Sequence, residues 1–294
     1  MVRVAVAAAG RAGGWGLMAF EIIPIGPVLP ARRVPVVVNY GGGTNSTALL
    51  IEAVNRGLHV DRVVFSDTGS ERPETYAYLD TMDQWLLAHE YPVIERIHWI
   101  RQDGSFVALH DWCFEHDQLP SKAFGYAGCT SKWKQQPIDR HLTWAFAETF
   151  KAGLVVERWI GYDADEPHRA NRMLAKNPRP EKWRWRAPLV EWGMGRDECI
   201  AVIDAAGLER PGKSSCWMCP SMKKPEIVEL GVKHPALADA ALRMEAQWRA
   251  RNRPEHSTHQ GLGRNFAWSD VLAGRACGIE VVETDCGCYD GDES

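Results

Sequence analysis

The stretch Val34-Pro35-Val36-Val37-Val38-Asn39-Tyr40-Gly41-Gly42-Gly43-Thr44-Asn45-Ser46-Thr47 decides the fold. Its β-branched run suits a strand buried on both faces, as a parallel sheet requires. The glycines end that strand, and Ala48 to Arg56 then carries apolar residues at helical spacing before stopping at Gly57. Strand, glycine-rich turn and helix in this order make a way of building an anion site. Glycines let backbone N–H groups approach a phosphate, the Ser46 and Thr47 hydroxyls add donors, and the helix dipole favours negative charge. The same residues also serve as a plain connecting turn, and local chemistry leaves both readings open. The loop lacks the Gly-Lys-Ser/Thr ending of a Walker A motif and the G-x-G-x-x-G spacing of a dinucleotide fingerprint.

Outward from this unit, 62–66, 94–100 and 154–160 read as further strands. Helical patterns lie between them: one opens at Pro73 with Tyr76, Leu79, Met82 and Leu86 on its apolar face, and others cover 105–116 and 131–150. Alternation of this kind predicts an α/β protein with a mostly parallel, Rossmann-like sheet and helices on both faces. After residue 195 helices dominate, at 196–206, 224–231 and 235–251. The expected organisation is a poorly structured N-terminal extension over 1–32, an α/β nucleotide-binding domain over 33–195, and a smaller helical portion over 196–294 that bears a C-x-x-C and a Cys-containing tail. Met18 is an alternative start.

The 294 residues are 45% hydrophobic and 24% charged with a formal net charge of −4, which excludes a disordered, collagen-like or uniformly basic chain. No stretch approaches the roughly 18 to 20 apolar residues that span a bilayer, and the run Val4 to Ala9 is too short for a signal-peptide core. A cytoplasmic location is expected, where thiols stay reduced. Eight Cys are too dilute for a disulfide-stapled secreted fold, so their placement matters more than their number. Cys113, Cys199 and Cys277 stand singly among apolar or small residues and read as core thiols. Cys216-Trp217-Met218-Cys219 is a C-x-x-C whose spacing brings two thiolates to one metal or cluster.

Several ordered motifs carry a resemblance. Gly41 to Thr47 resembles the S-G-G-x-D-S pyrophosphate loop of the PP-loop superfamily of adenine-nucleotide enzymes. Ser66-Asp67-Thr68-Gly69 followed by Pro73-Glu74-Thr75-Tyr76 is similar to the D-T-G-x-x-x-P-E-T-Y segment of the phosphoadenosine phosphosulfate (PAPS) and adenosine phosphosulfate (APS) reductase family. Gly161 to Arg169 resembles that family's G-x-R-x-x-E-S-x-x-R loop, and Ala187 to Trp192 its P-L-x-x-W segment. Gly128-Cys129-Thr130-Ser131-Lys132 resembles the paired-Cys region that supplies cluster ligands in the APS-reductase branch, with Gly128 in place of the first Cys. Asp285-Cys286-Gly287-Cys288-Tyr289 resembles the tail whose Cys is the sulfur nucleophile.

The resemblance implies an adenine nucleotide (ATP, PAPS or APS) on Gly41, Gly42, Gly43, Thr44, Asn45, Ser46, Thr47, Asp67, Thr68 and Gly69. It implies an iron–sulfur cluster of the 4Fe-4S type, with zinc as the alternative, on Cys129, Cys216 and Cys219. Cys286 and Arg169 are the implied catalytic residues, with Cys286 or Cys288 as an alternative fourth thiolate. Two departures matter: Tyr40 stands in the place of Ser, and Asn45 in the place of the Asp of ATP-hydrolysing members. Asn carries no charge for Mg²⁺, which leaves metal-assisted cleavage of ATP open.

The expected function is therefore PAPS reductase-like chemistry on sulfur, by an oxidoreductase or sulfurtransferase. The alternatives are an ATP-dependent adenylating, nucleobase-modifying sulfurtransferase and a non-catalytic binding protein of the same fold. A small nucleotide and a thiol electron donor are the implied partners. Arg169, Arg172, Lys176, Arg179, Lys182, Arg184 and Arg186, interleaved with Trp183 and Trp185, add nucleic acid as a further candidate. The charges of 243–253, Glu245 among them, read as a solvated helix face.

Overall fold

The computed structural model describes residues 33–176, 179–252, 259–263 and 265–274. The expected 1–32 extension and Cys277, Cys286 and Cys288 lie outside the described residues. Along the chain run β1 (Val36–Asn39), α1 (Thr44–Asn55), β2 (Arg62–Asp67), α2 (Pro73–Ala88), β3 (Ile94–His98), α3 (Leu109–Glu115), α4 (Gly128–Thr130), α5 (Gln136–Ala145) and α6 (Ala147–Lys151). Then follow β4 (Val156–Ile160), α7 (Pro167–Lys176), β5 (Trp183–Arg186), α8 (Pro188–Glu191), α9 (Arg196–Ala205), α10 (Lys224–Lys233), α11 (Pro235–Asn252) and α12 (Trp268–Leu272).

The five strands form one sheet in the order β3-β2-β1-β4-β5, and every neighbouring pair is parallel. The protein is thus an α/β fold of the Rossmann-like type. Strand alternation sorts the core: Val36, Val38, Val63 and Phe65 face α1, α2 and α9, while Val37, Val64 and Val156 face Ile138, Leu142 and Ala145 of α5. Both faces are covered, which is why β1 reads as an unbroken apolar run.

β5 was not among the expected strands. Its Trp-Arg-Trp-Arg sequence reads as a basic loop, yet Trp183 is 1% exposed and packs edge-on against Phe150, 5.1 Å between centroids. Arg158 of β4 lies over Trp183 and Trp185, its Cζ 5.1 Å and 4.2 Å from the ring centroids. The indoles are therefore core and strand partners rather than an open stacking platform.

The sheet core and the helical core are interleaved along the chain. α9 packs on α1 through Cys199 and Ile203. Leu109 and Cys113 of α3, together with Trp133, share a second apolar core with Trp217, Met218, Ile227, Met244, Trp248 and Trp268. Glu245 corrects the solvated-face reading of α11, since only 1% of it is exposed. Its carboxylate accepts the backbone N–H groups of Leu262 (2.8 Å), Trp268 (2.9 Å) and Ser269 (3.1 Å), capping α12 and fixing the 260–263 turn.

Glu245→Ala leaves two buried N–H groups, of Leu262 and Trp268, and the half-buried one of Ser269 without their acceptor, each buried group costing about 1–3 kcal/mol. Urea unfolding is expected to show a loss of about 3 kcal/mol or more. Glu245→Gln, which keeps one acceptor oxygen, is expected to lose less.

Candidate functional site

In this strand order, β1 sends its helix toward β2 while β4 lies on its other side. The crevice at the C-terminal ends of β1 and β4 is the topological switch point, where open α/β sheets bind ligands. The glycine-rich loop occupies that position. Gly43 is the N-cap of α1, with no side-chain cap and no acidic residue of its own first turn, so the helix itself supplies no side chain to offset its positive end. Gly42 has φ +74°, and a Cβ there would stand 3.2 Å from Ser214 Oγ. Across the crevice, a Cβ on Gly161 would stand 2.8 Å from the backbone N and Cα of Ser46. Glycine is needed at 161 for this close approach.

Side chains of the loop divide by direction. Tyr40 is fully buried in the sheet core, and its hydroxyl pairs with Thr47 Oγ1 at 3.0 Å, so these two hydroxyls brace the loop from beneath. Burial pushes the Tyr40 phenol far above its ordinary range, and it stays neutral. Ser46 Oγ donates to the Gly43 carbonyl at 3.0 Å. Asn45 Nδ2 donates to Asp163 Oδ2 at 2.8 Å, and Asn45 Oδ1 accepts from Arg196 Nη1 at 3.0 Å. A carboxylate only accepts and a guanidinium only donates, so the amide has one permitted orientation.

Asp163 follows β4, and Asp165 performs the matching task for α9. Its Oδ2 accepts the Arg196 N–H at 2.7 Å, capping that helix. Asp163 and Asp165 thus attach the N-termini of α1 and α9 to the same loop. Sequence reasoning missed the roles of Asp163, Asp165 and Arg196. The Asp-x-Asp spacing was visible, but the family-like loop has Arg in the place of Asp163, and nothing local to Arg196 marks its partner 151 residues away.

Asp67 ends β2 and accepts from Tyr76 Oη and from the Gly69 N–H, both at 2.7 Å. Burial, with Asp67 adding to it, raises the Tyr76 phenol strongly. Thr68 leads to the cysteines: its Oγ1 lies 3.2 Å from Cys216 Sγ and donates to Glu71 Oε1 at 3.2 Å. Cys216 Sγ donates to Glu71 Oε1 at 3.6 Å, and Lys134 Nζ pairs with that oxygen at 3.4 Å. Segments 70–72 and 215–217 are bonded through Arg72 N to the Ser215 carbonyl and Trp217 N to the Ser70 carbonyl.

Cys216 and Cys219 are buried and Cys129 is half-buried against the same apolar core. Burial pushes the Cys216 thiol well up, Glu71 reinforces this, and Lys134 and the Thr68 hydroxyl oppose it. Burial raises Cys219 too, partly offset by the Ser221 N–H, while Cys129 adds to the rise and Lys122 and Lys134 counter it. The donor set fits a thiolate-ligated metal group: three thiols of which Cys219 interacts with both Cys129 and Cys216, an N–H directed to sulfur, and two lysines to balance thiolate charge. Among the described residues, no three His, Cys, Asp or Glu side chains converge on a single-ion position. Cys113, read as a core thiol, is 1% exposed, and burial raises it strongly, with Cys129 near enough to contribute.

Arg169 lies on α7, donates to Glu166 Oε2 at 2.5 Å, and stacks over Tyr162 with its Cζ 4.9 Å from the ring centroid. Within the basic stretch, Arg184 and Arg186 meet Glu157, and Arg186 also meets Glu191. Among the described residues no helix is long and apolar enough to cross a membrane.

No protein-family model matches the chain, and no curated protein matches it in sequence. Among solved structures it is similar to the U34-tRNA thiolase NcsA from Methanococcus maripaludis with its 4Fe-4S cluster. The TM-score is 0.40 and the identity 12%, over 84% of this chain and 72% of that one.

Asn45→Asp would set two carboxylates 2.8 Å apart in a buried place, and a stability loss of about 1–3 kcal/mol is expected by thermal or urea unfolding. Combining it with Asp163→Asn removes the repulsion, and a double-mutant cycle is expected to return a coupling of about 1 kcal/mol or more.

Proposed function

We propose that this chain is an enzyme that binds an adenine nucleotide on its glycine-rich loop and uses it in sulfur chemistry at a metal group held by Cys129, Cys216 and Cys219. The reaction class favoured is sulfur transfer to an acceptor activated by ATP. One observation carries the reading: segment 214–217 touches both halves of the site. Ser214 lies against Gly42 of the loop, and Cys216 is hydrogen-bonded to Thr68, next to Asp67. A nucleotide on the loop would therefore sit beside the thiols.

The N–H groups at the start of α1 would hold phosphate by preorganised donors, without reorganisation on binding. Asp67, fixed by Tyr76 and Gly69, would border the nucleoside. Cys129, Cys216 and Cys219 would hold a 4Fe-4S cluster, which when bound would supply iron for binding sulfur. The ATP reading gains support from Asp163. Asn45 lacks the negative charge that would attract Mg²⁺, and the Asp163 carboxylate restores one within 2.8 Å of it. The sulfonucleotide-reductase reading rests on Cys286, and nucleic acid as the acceptor remains part of the proposal.

Anaerobically purified protein is expected to contain iron and sulfide in near-stoichiometric amounts and to lose both in Cys216→Ser. With Mg²⁺, ATP, sulfide and unfractionated RNA it is expected to release AMP and pyrophosphate in equal amounts. Release of sulfite from PAPS or APS without ATP turnover would return the reductase reading, and protein holding neither iron with sulfide nor zinc would remove the metal group. Gly161→Ala, which drives a methyl into the Ser46 backbone, is expected to weaken ATP binding about tenfold, or about 1.4 kcal/mol, by calorimetric titration.

A further inference from the structure

We infer that Arg196 is the phosphate clamp of the glycine-rich loop, in the role the sequence suggested for Arg169. The inference rests on the reading of that loop as a nucleotide site. Arg169 already faces the Glu166 carboxylate at 2.5 Å and lies flat on Tyr162, so its charge is matched within its own loop. Arg196 is exposed, stands in the first turn of α9, and reaches across to the first turn of α1, where Nη1 meets Asn45 Oδ1 at 3.0 Å. It forms no ion pair among the described residues.

Two anchors hold it there. Asp165 takes the Arg196 backbone N–H at 2.7 Å, and Asp163 fixes the Asn45 amide so that its oxygen, never its NH₂, is turned to the guanidinium. A guanidinium has five N–H donors, and the Asn45 contact engages Nη1 alone. Its bond to a neutral amide contributes less than a charge-assisted bond to phosphate would, so an arriving phosphate wins the exchange. The planar fork can then grip two phosphate oxygens while the α1 N-terminus supplies backbone N–H groups to the same group. Asn45 thus has a use that an aspartate could not fill: it parks the clamp without neutralising it.

The test compares ATP and adenosine by calorimetric titration on full-length wild type, Arg196→Ala, Arg196→Lys and Arg169→Ala. Arg196→Ala is expected to weaken ATP binding about tenfold to a hundredfold and to leave adenosine binding unchanged. Arg196→Lys, which keeps the charge and loses the fork, is expected to recover part of the affinity. Arg169→Ala is expected to stay within about threefold of wild type. Unfolding midpoints of the Arg196 variants are expected to fall by no more than the loss of the single Asn45 hydrogen bond allows, so the variants stay folded at the titration temperature.

ATP binding by Arg196→Ala at wild-type affinity would overturn the clamp while leaving the nucleotide reading intact. So would an equal loss of ATP and adenosine binding, which marks a structural effect. A wild-type protein that binds neither ATP, PAPS nor pyrophosphate would overturn the loop assignment and the clamp with it.

Discussion

Two carboxylates after β4 connect the N-termini of two helices, α1 and α9, to one loop. Asp163 holds the Asn45 amide at the start of α1, and Asp165 holds the Arg196 N–H at the start of α9. The two helices pack together on one face of the sheet through apolar side chains, which fixes their distance but says little about their axial position. The hydrogen bonds supply that missing coordinate. They bring both positive helix ends to the gap between β1 and β4, and Gly161 permits the approach because it has no Cβ to strike Ser46.

The second organising contact is the pairing of residues 70–72 with 215–217. It attaches a helical, Cys-bearing segment to the end of β2, at the residues that border the proposed nucleotide position. Cys216 and Cys219 are buried there, and burial raises both thiols, with Glu71 beside Cys216 and lysines near both. The proposed metal group would release protons on binding there and would meet charge compensation already in position. The same burial keeps solvent from the Cys216 and Cys219 sulfur atoms.

Much of this was legible in the sequence because it is local. Val36 to Asn39 had to be a doubly buried strand, and the glycines at 41–43 had to end it. The boundaries of α9, α10 and α11 fell close to their expected places, since capping and periodicity act within a few residues. β5 was misread because an edge strand of alternating Trp and Arg looks like a basic loop until Phe150, Arg158 and Glu157 come to meet it. Glu245 was misread for a related reason: its three backbone partners lie 17 to 24 residues further on, in a segment with no pattern of its own.

By itself the sequence determined the α/β class, the strand, glycine-rich turn and helix that make the turn after β1 a candidate anion site, and the set of cysteines worth following, because each is encoded in short-range pattern and residue chemistry. Only the tertiary structure decided which charges are free to act. Arg169 and Arg196 look alike in a string of letters, yet one finds Glu166 three residues away and the other finds a neutral amide across the crevice. The tertiary structure also shows what Asn45 does in the place of an aspartate, since its amide donates to Asp163 and accepts from Arg196 at once. Such pairings depend on distances between residues more than a hundred positions apart, and chain folding alone sets those distances.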